Sequence, residues 1–298
     1  MTHSLTLREH LGVTFWRSAM GALALFGGKA VPRNRVSQHR YGPGPMEQLD
    51  RWQPAPGRAL KPVVVHIHGG GWISGSKGRF YTRPLTALAD QGHPVFSLNY
   101  PLGPKAAHPE ALLALLRALA WIKSNHAQGH AIHLTGDSAG GHLAMMLAIM
   151  LSNPKILRLY DPIDSARLPN VLSAAPLYGV HDRISAVEDK FPGISLFLKS
   201  LAGPDVSKPG FRSPTPVMAL DLPAFANLPR TFIVAGGKDP LARSSLLFFD
   251  RLKTTFPETR YKLYPGAAHG FFNFGTGSAE LTQDLIAFLA EAAILKEA

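Results

Sequence analysis

The sequence predicts an α/β protein: a mostly parallel central sheet flanked by helices on both faces. Three observations predict it. Strand-like and helix-like runs alternate from residue 60 onward; the strand-like runs are continuous in β-branched and apolar residues; and the notable polar motifs fall directly after them. Repeated βα units make neighbouring strands parallel and send the crossover helices to the sheet faces. Strands covered on both sides read as unbroken apolar runs, and ligands of such sheets bind at the carboxyl ends of the strands.

Each element follows from a local signal. Residues 62–67, Pro-Val-Val-Val-His-Ile, form the first strong strand, followed by a helix-period segment at 81–91 that Gly92 closes. A strand at 94–100 precedes a long helix at 109–125. The short apolar strand 132–134 runs into Gly136-Asp137-Ser138-Ala139-Gly140-Gly141 and then an apolar helix at 142–151. Further strands are expected at 171–177, 230–235 and 260–264, with helices at 242–255 and from Glu280 onward. Residues 181–222 break the alternation: they read as a helix at 185–201 and a Pro-rich loop at 203–216. That stretch is expected to be an insertion covering the site, together with an amphipathic N-terminal helix at 5–26. Phe191, Phe197, Phe211 and Met218 are candidates either to line an acyl pocket there or to pack the lid onto the body.

Length and composition narrow the classes. A chain of 298 residues with 46% apolar content, and no linker, repeat or charge block, is expected to be one domain over 1–298, with lid elements at about 1–45 and 181–222. It has no cysteine, which excludes disulfides, thiolate chemistry and Cys-based metal sites. The net charge of +11 is scattered, without a basic aromatic-bearing helix or a nucleic-acid motif, so no nucleic-acid partner is expected. The apolar run at 19–26 after Arg17 is shorter than the roughly 20 residues a bilayer span needs. It loosely matches a signal h-region, but Glu9 stands upstream of it. A cytoplasmic location is expected, with contact at an anionic membrane surface and a homodimer left open.

The chemistry lies in four loops. In Gly136-x-Ser138-x-Gly140, between a strand and a helix, the serine needs a strained backbone that turns its hydroxyl out of the sheet, and bulk two residues away on either side would collide with the neighbouring chain. Ser138 is the candidate nucleophile. His68-Gly69-Gly70-Gly71-Trp72 follows the first strong strand, and its successive glycines let backbone amides face a ligand. The amides of Gly70, Gly71 and Ala139 are therefore the candidate oxyanion hole. A phosphate-binding reading of this loop lacks Gly-Lys-Ser/Thr at a helix start, and His68 lacks partners at metal spacing apart from His66. His68 is read as a structural hydrogen bond holding the loop, and neither metal nor cofactor is expected. A serine at its free pKa needs a base, and the base needs an orienting carboxylate. Of 13 histidines, His269 sits in a loop after a late strand, and Asp239 follows the strand ending at residue 235. The order Ser138, Asp239, His269 is that of the α/β-hydrolases.

On these residues the chain resembles the hormone-sensitive-lipase-like and acetyl-esterase branch of the α/β-hydrolases. The resemblance rests on His68 to Trp72, Gly136 to Gly141, Lys238-Asp239-Pro240-Leu241 and His269-Gly270-Phe271, with Asn99-Tyr100 and Trp121 in support, and spans roughly 47–293. It implies an α/β-hydrolase fold with a helical lid and a carboxylic-ester hydrolase acting on short to medium acyl esters through an acyl-enzyme. The implied roles are Ser138 as nucleophile, Asp239 and His269 as its partners, and Gly70, Gly71 and Ala139 as the oxyanion hole. Two departures stand out: Pro101 replaces the arginine usual after Asn-Tyr, and the helix ending at Trp121 has Glu110 at its start where the family tends to carry an aspartate. An arylformamidase, which also uses a His-Gly-Gly loop, is the nearest alternative. A non-catalytic receptor on the same fold is the other, and receptors of that kind typically lack a triad member.

Overall fold

The structure, a computed structural model, describes residues 5–25, 35–160, 164–208, 210–222, 224 and 226–294. Its centre is one eight-stranded sheet in the order β1-β2-β4-β3-β5-β6-β7-β8. The strands are β1 (Val36–Arg40), β2 (Gln48–Trp52), β3 (Val63–Ile67), β4 (Val95–Leu98), β5 (Ala131–Asp137), β6 (Asn170–Leu177), β7 (Arg230–Gly236) and β8 (Arg260–Tyr264). Only β2 runs against the rest, antiparallel to both β1 and β4. The helices described are α1 (Leu7–Leu25), α2 (Thr82–Asp90), α3 (Glu110–Asn125), α4 (Ala139–Ser152), α5 (Pro154–Tyr160), α6 (Arg183–Glu188), α7 (Ile194–Ala202), α8 (Ala242–Leu252) and α9 (Ser278–Ile294).

The continuous apolar strands are buried on both faces, as their composition requires. Every residue of β3 is buried. Val63, Val65 and Ile67 face a core built with α3, α4 and α8, whereas Val64 faces a second core with α2 and α9. The alternation follows from the two-residue period of a strand. Helix α4 is buried from Ala139 to Met150, which explains why its sequence is apolar all round and lacks a polar face.

Three sequence expectations need correction. The N-terminal lid element does not extend over all of 1–45, because Val36–Arg40 forms the sheet edge β1. This strand, at the sheet edge, and β2, paired between β1 and β4, escaped notice because Val-Ser-Gln-His-Arg and Gln-Leu-Asp-Arg-Trp carry mostly polar side chains and are only partly buried. The single helix expected at 185–201 is two helices, α6 and α7. Pro192 restrains the residue before it from helical geometry, and Gly193 takes a left-handed φ of 80°. Helix α1 is not amphipathic in the expected sense: Val13 is buried while Leu7, Leu11 and Phe15 form an outward apolar stripe at 63–78% exposure. The part of the expected N-terminal helix at residue 26 lies outside the described residues. Among those described, no single helix is long and apolar enough to cross a membrane.

Candidate active site

Four loops leave the carboxyl ends of β3, β5, β7 and β8 and meet above the sheet. The turn between β5 and α4 holds Ser138 at φ 54° and ψ −119°, a conformation that is strained for any residue with a side chain. Its flanking glycines are there for space. A Cβ on Gly136 would stand 2.5 Å from the Gly140 carbonyl oxygen, and one on Gly140 would stand 2.0 Å from that of Ile67. The neighbouring strand β3 therefore dictates glycine at both positions.

Ser138, Asp239 and His269 are brought together. His269 Nε2 lies 2.9 Å from Ser138 Oγ, and His269 Nδ1 lies 2.7 Å from Asp239 Oδ2. The other Asp239 oxygen accepts the Leu241 amide at 2.8 Å, which fixes the carboxylate, whose side chain is fully buried. With Nδ1–H donated to a buried acceptor, Nε2 is left as the imidazole lone pair facing the serine hydroxyl. Tyr178 and Phe191 pack edge-on against the His269 ring at 5.1 and 4.7 Å and hold its plane.

The glycine loop approaches from the other side. Gly70 and Gly71 take positive φ of 113° and 60°. Among the described residues their amides donate to no other group of the chain. The Ala139 amide opens α4, ahead of the first helical bond from His142 N–H to the Ser138 carbonyl. The Gly69 amide is already committed, to Asp137 Oδ1 at 2.9 Å and the Tyr81 hydroxyl at 3.0 Å. The free donors are thus at 70, 71 and 139, with the helix α4 dipole behind the last. His68 donates from its own ring to its own loop, Nδ1–H to the Gly69 carbonyl at 2.7 Å, and stacks on Tyr100. That is a fastening role.

Two supports were not legible in the sequence. Asp137 is buried beneath the loop, and burial raises its carboxyl to about 6 although the Tyr81 hydroxyl and Gly69 amide favour the ionised form. His142, on α4, accepts the Trp72 indole N–H at 3.0 Å and donates from Nε2 to the Val217 carbonyl at 2.7 Å. It is a neutral tautomer fixed from both ends, and burial depresses it to about 3. Both residues act through contacts that pattern alone does not reveal.

A cavity of about 170 Å³ adjoins the serine, lined on its apolar side by Trp16, Met20, Val180, Phe191, Ile194 and Phe197. Of the four lid residues expected there, Phe191 and Phe197 line it. Phe211 instead packs beneath the Arg183 guanidinium at 5.4 Å, and Met218 is fully buried in the core. Helix α1 supplies Trp16 and Met20 and is tied down by an ion pair from Glu9 to Lys199 of α7 at 2.7 Å.

Comparisons with known proteins agree with this architecture. The family described as alpha/beta hydrolase fold matches residues 64–273. Esterase LipQ of Mycobacterium tuberculosis is 32% identical over 253 residues, covering 80% of this chain and 57% of its own length. Esterase LipC of the same organism is 26% identical over 260 residues, covering 80% of this chain and 61% of its own. The chain therefore spans little more than half the length of these curated relatives. Among solved structures, an esterase of Pyrobaculum calidifontis is similar with a TM-score of 0.74 at 23% identity, covering 96% of this chain and 94% of its own.

Proposed function

The chain belongs to the α/β-hydrolase family, in its hormone-sensitive-lipase-like branch, and from that premise we propose that it is a serine carboxylic-ester hydrolase acting on short acyl esters. The observation that carries the reading is the continuous relay from Ser138 Oγ through His269 to Asp239, at 2.9 and 2.7 Å.

Ser138 Oγ attacks the ester carbonyl as His269 Nε2 takes its proton. Asp239 stays ionised, holds the tautomer and balances the imidazolium. Negative charge gathers on the carbonyl oxygen, and the amides of Gly70, Gly71 and Ala139, which donate to no other group among the described residues, receive it. Each such donor is worth about 3–4 kcal/mol of transition-state stabilisation. His269 then returns the proton to the leaving alcohol, leaving an acyl group on Ser138. A water molecule, deprotonated by the same histidine, attacks the acyl-enzyme and restores the serine. The chain's own groups and water account for every proton. The preference for short acyl groups is supported by the small 170 Å³ volume of the cavity and its aromatic walls at Trp16, Phe191 and Phe197.

A series of p-nitrophenyl esters from acetate to laurate tests this reading. The expected result is rapid turnover of acetate and butyrate, a steep fall toward laurate, and a loss of about 10⁴–10⁶ in kcat for Ser138→Ala. Equal turnover by Ser138→Ala would overturn it.

A further inference from the structure

A second, larger chamber of about 700 Å³ opens beside the serine cavity and shares Met20, Ser74 and Phe80 with it. Its walls come from α1, the β1–β2 turn, the segment after the glycine loop and the loop between β4 and α3. Two cations line it, Arg17 and Lys105, and among the described residues no carboxylate does. Arg17 donates Nε–H to the Ile73 carbonyl at 2.8 Å and Nη2–H to the Gly103 carbonyl at 3.0 Å. Both acceptors are neutral, so among the described residues the guanidinium is positioned without being neutralised, and Nη1 has no partner there. Lys105 is exposed and has no partner among the described residues. Lys77, on the same side of the molecule, differs: Asp50 pairs with it at 2.5 Å. Asn99 also lines the chamber, and its Oδ1 accepts the Lys77 amide, which leaves its side-chain N–H groups as donors.

From this wall we propose that the chamber takes the alcohol half of the ester and that this half carries an anionic group, a carboxylate or a phosphate, held by Lys105 and Arg17. The inference rests on the ester-hydrolase reading. The division of labour follows from chemistry: the small chamber is lined by aromatic and aliphatic side chains and suits an acyl chain, whereas the large one, apolar at Met46, Phe80 and Leu102, adds two cations that no carboxylate neutralises among the described residues and the Asn99 amide donors. Two cations facing one anion across a partly open chamber give selectivity that salt screens.

The test compares kcat/KM for three acetate esters of one phenol framework: para-acetoxybenzoate, para-acetoxyphenyl phosphate and the neutral para-acetoxybenzamide. The expected result is a preference of about 5- to 30-fold for one or both anionic esters over the amide at low salt. That preference should shrink in 0.5 M salt, on the order expected from a Debye length of a few ångströms. The anion-to-neutral ratio should fall toward one in Lys105→Gln and be restored in Lys105→Arg. Preference for the benzoate or for the phosphate identifies which anion the chamber fits. Ratios near one for both anionic esters, with p-nitrophenyl acetate still hydrolysed, would overturn the inference and leave the ester-hydrolase reading standing. Failure to hydrolyse p-nitrophenyl acetate as well would overturn both.

Discussion

The Trp72 indole and the His142 imidazole are joined by a 3.0 Å hydrogen bond that ties the end of the glycine loop to the helix of the candidate nucleophile. Loop and helix carry the two halves of the proposed amide cradle, Gly70 and Gly71 on one and Ala139 on the other. In the proposed mechanism His142 is a positioning residue that fixes the spacing of these donors through Trp72.

His142→Phe should therefore lower kcat on p-nitrophenyl acetate by about 10- to 100-fold, the scale at which small misplacements of reacting groups cost rate. His142→Gln, which can still accept from Trp72, should recover part of it. A loss in KM alone, with kcat intact, would show that the bond does not position the loop.

Gly140→Ala should destabilise the fold by at least about 3 kcal/mol, because its Cβ would meet backbone oxygens of Ile67 and His68 at 2.0 and 2.6 Å and no side chain can move aside. Thermal unfolding checks this, and a melting temperature equal to that of the parent chain would contradict it.

Acid should unfold the protein early. Burial holds His66, His133, His142 and His181 at about 3, and His68 and His93 at about 4, below the ordinary value of 6.5. Between 6.5 and about 4 the unfolded chain binds protons that the folded chain refuses, so stability is fullest above 6.5 and falls with pH through this window. Each histidine contributes roughly 1 kcal/mol per pH unit. Asp137, raised to about 6, acts in the opposite sense as pH falls through that value, one group against these six histidines and two more, His108 and His126, that burial also holds at about 4. Denaturant unfolding from pH 8 to pH 5 should show uptake of several protons; stability independent of pH over that range would refute it.

Trp16→Ala and Phe197→Ala should each raise the ratio of octanoate to acetate turnover about 10-fold or more, since each removes a wall of the small cavity and one methylene in such a pocket is worth roughly 10-fold at least. A chain-length profile on p-nitrophenyl esters measures the ratio, and an unchanged profile would place the acyl chain elsewhere.

Much of this was legible in the sequence, and the limits have physical causes. Buried parallel strands announce themselves through unbroken apolar runs, so β3 to β7 were readable, as was the elbow at Ser138, whose glycines answer a steric demand from β3. The partly exposed edge strand β8 was placed by its Tyr and Leu residues between helical segments. Asp239 and His269 were found by their places after β7 and β8. The edge strand β1 and its neighbour β2 were hidden because both are only partly buried, which relaxes the apolar pattern. The break between α6 and α7 was written in Pro192-Gly193 but masked by the apolar period around it. His142 and Asp137 gain their roles only when distant loops fold over them, and the cationic chamber exists only because Arg17 of α1 and Lys105 of the loop between β4 and α3, 88 positions apart, line the same space.

The most direct test of the account is labelling with a fluorophosphonate probe followed by peptide mass spectrometry. The expected result is one adduct, on Ser138, absent from Ser138→Ala and strongly slowed in His269→Ala. An adduct on another serine, or ester hydrolysis that continues in protein that Ser138 never captures, would contradict it.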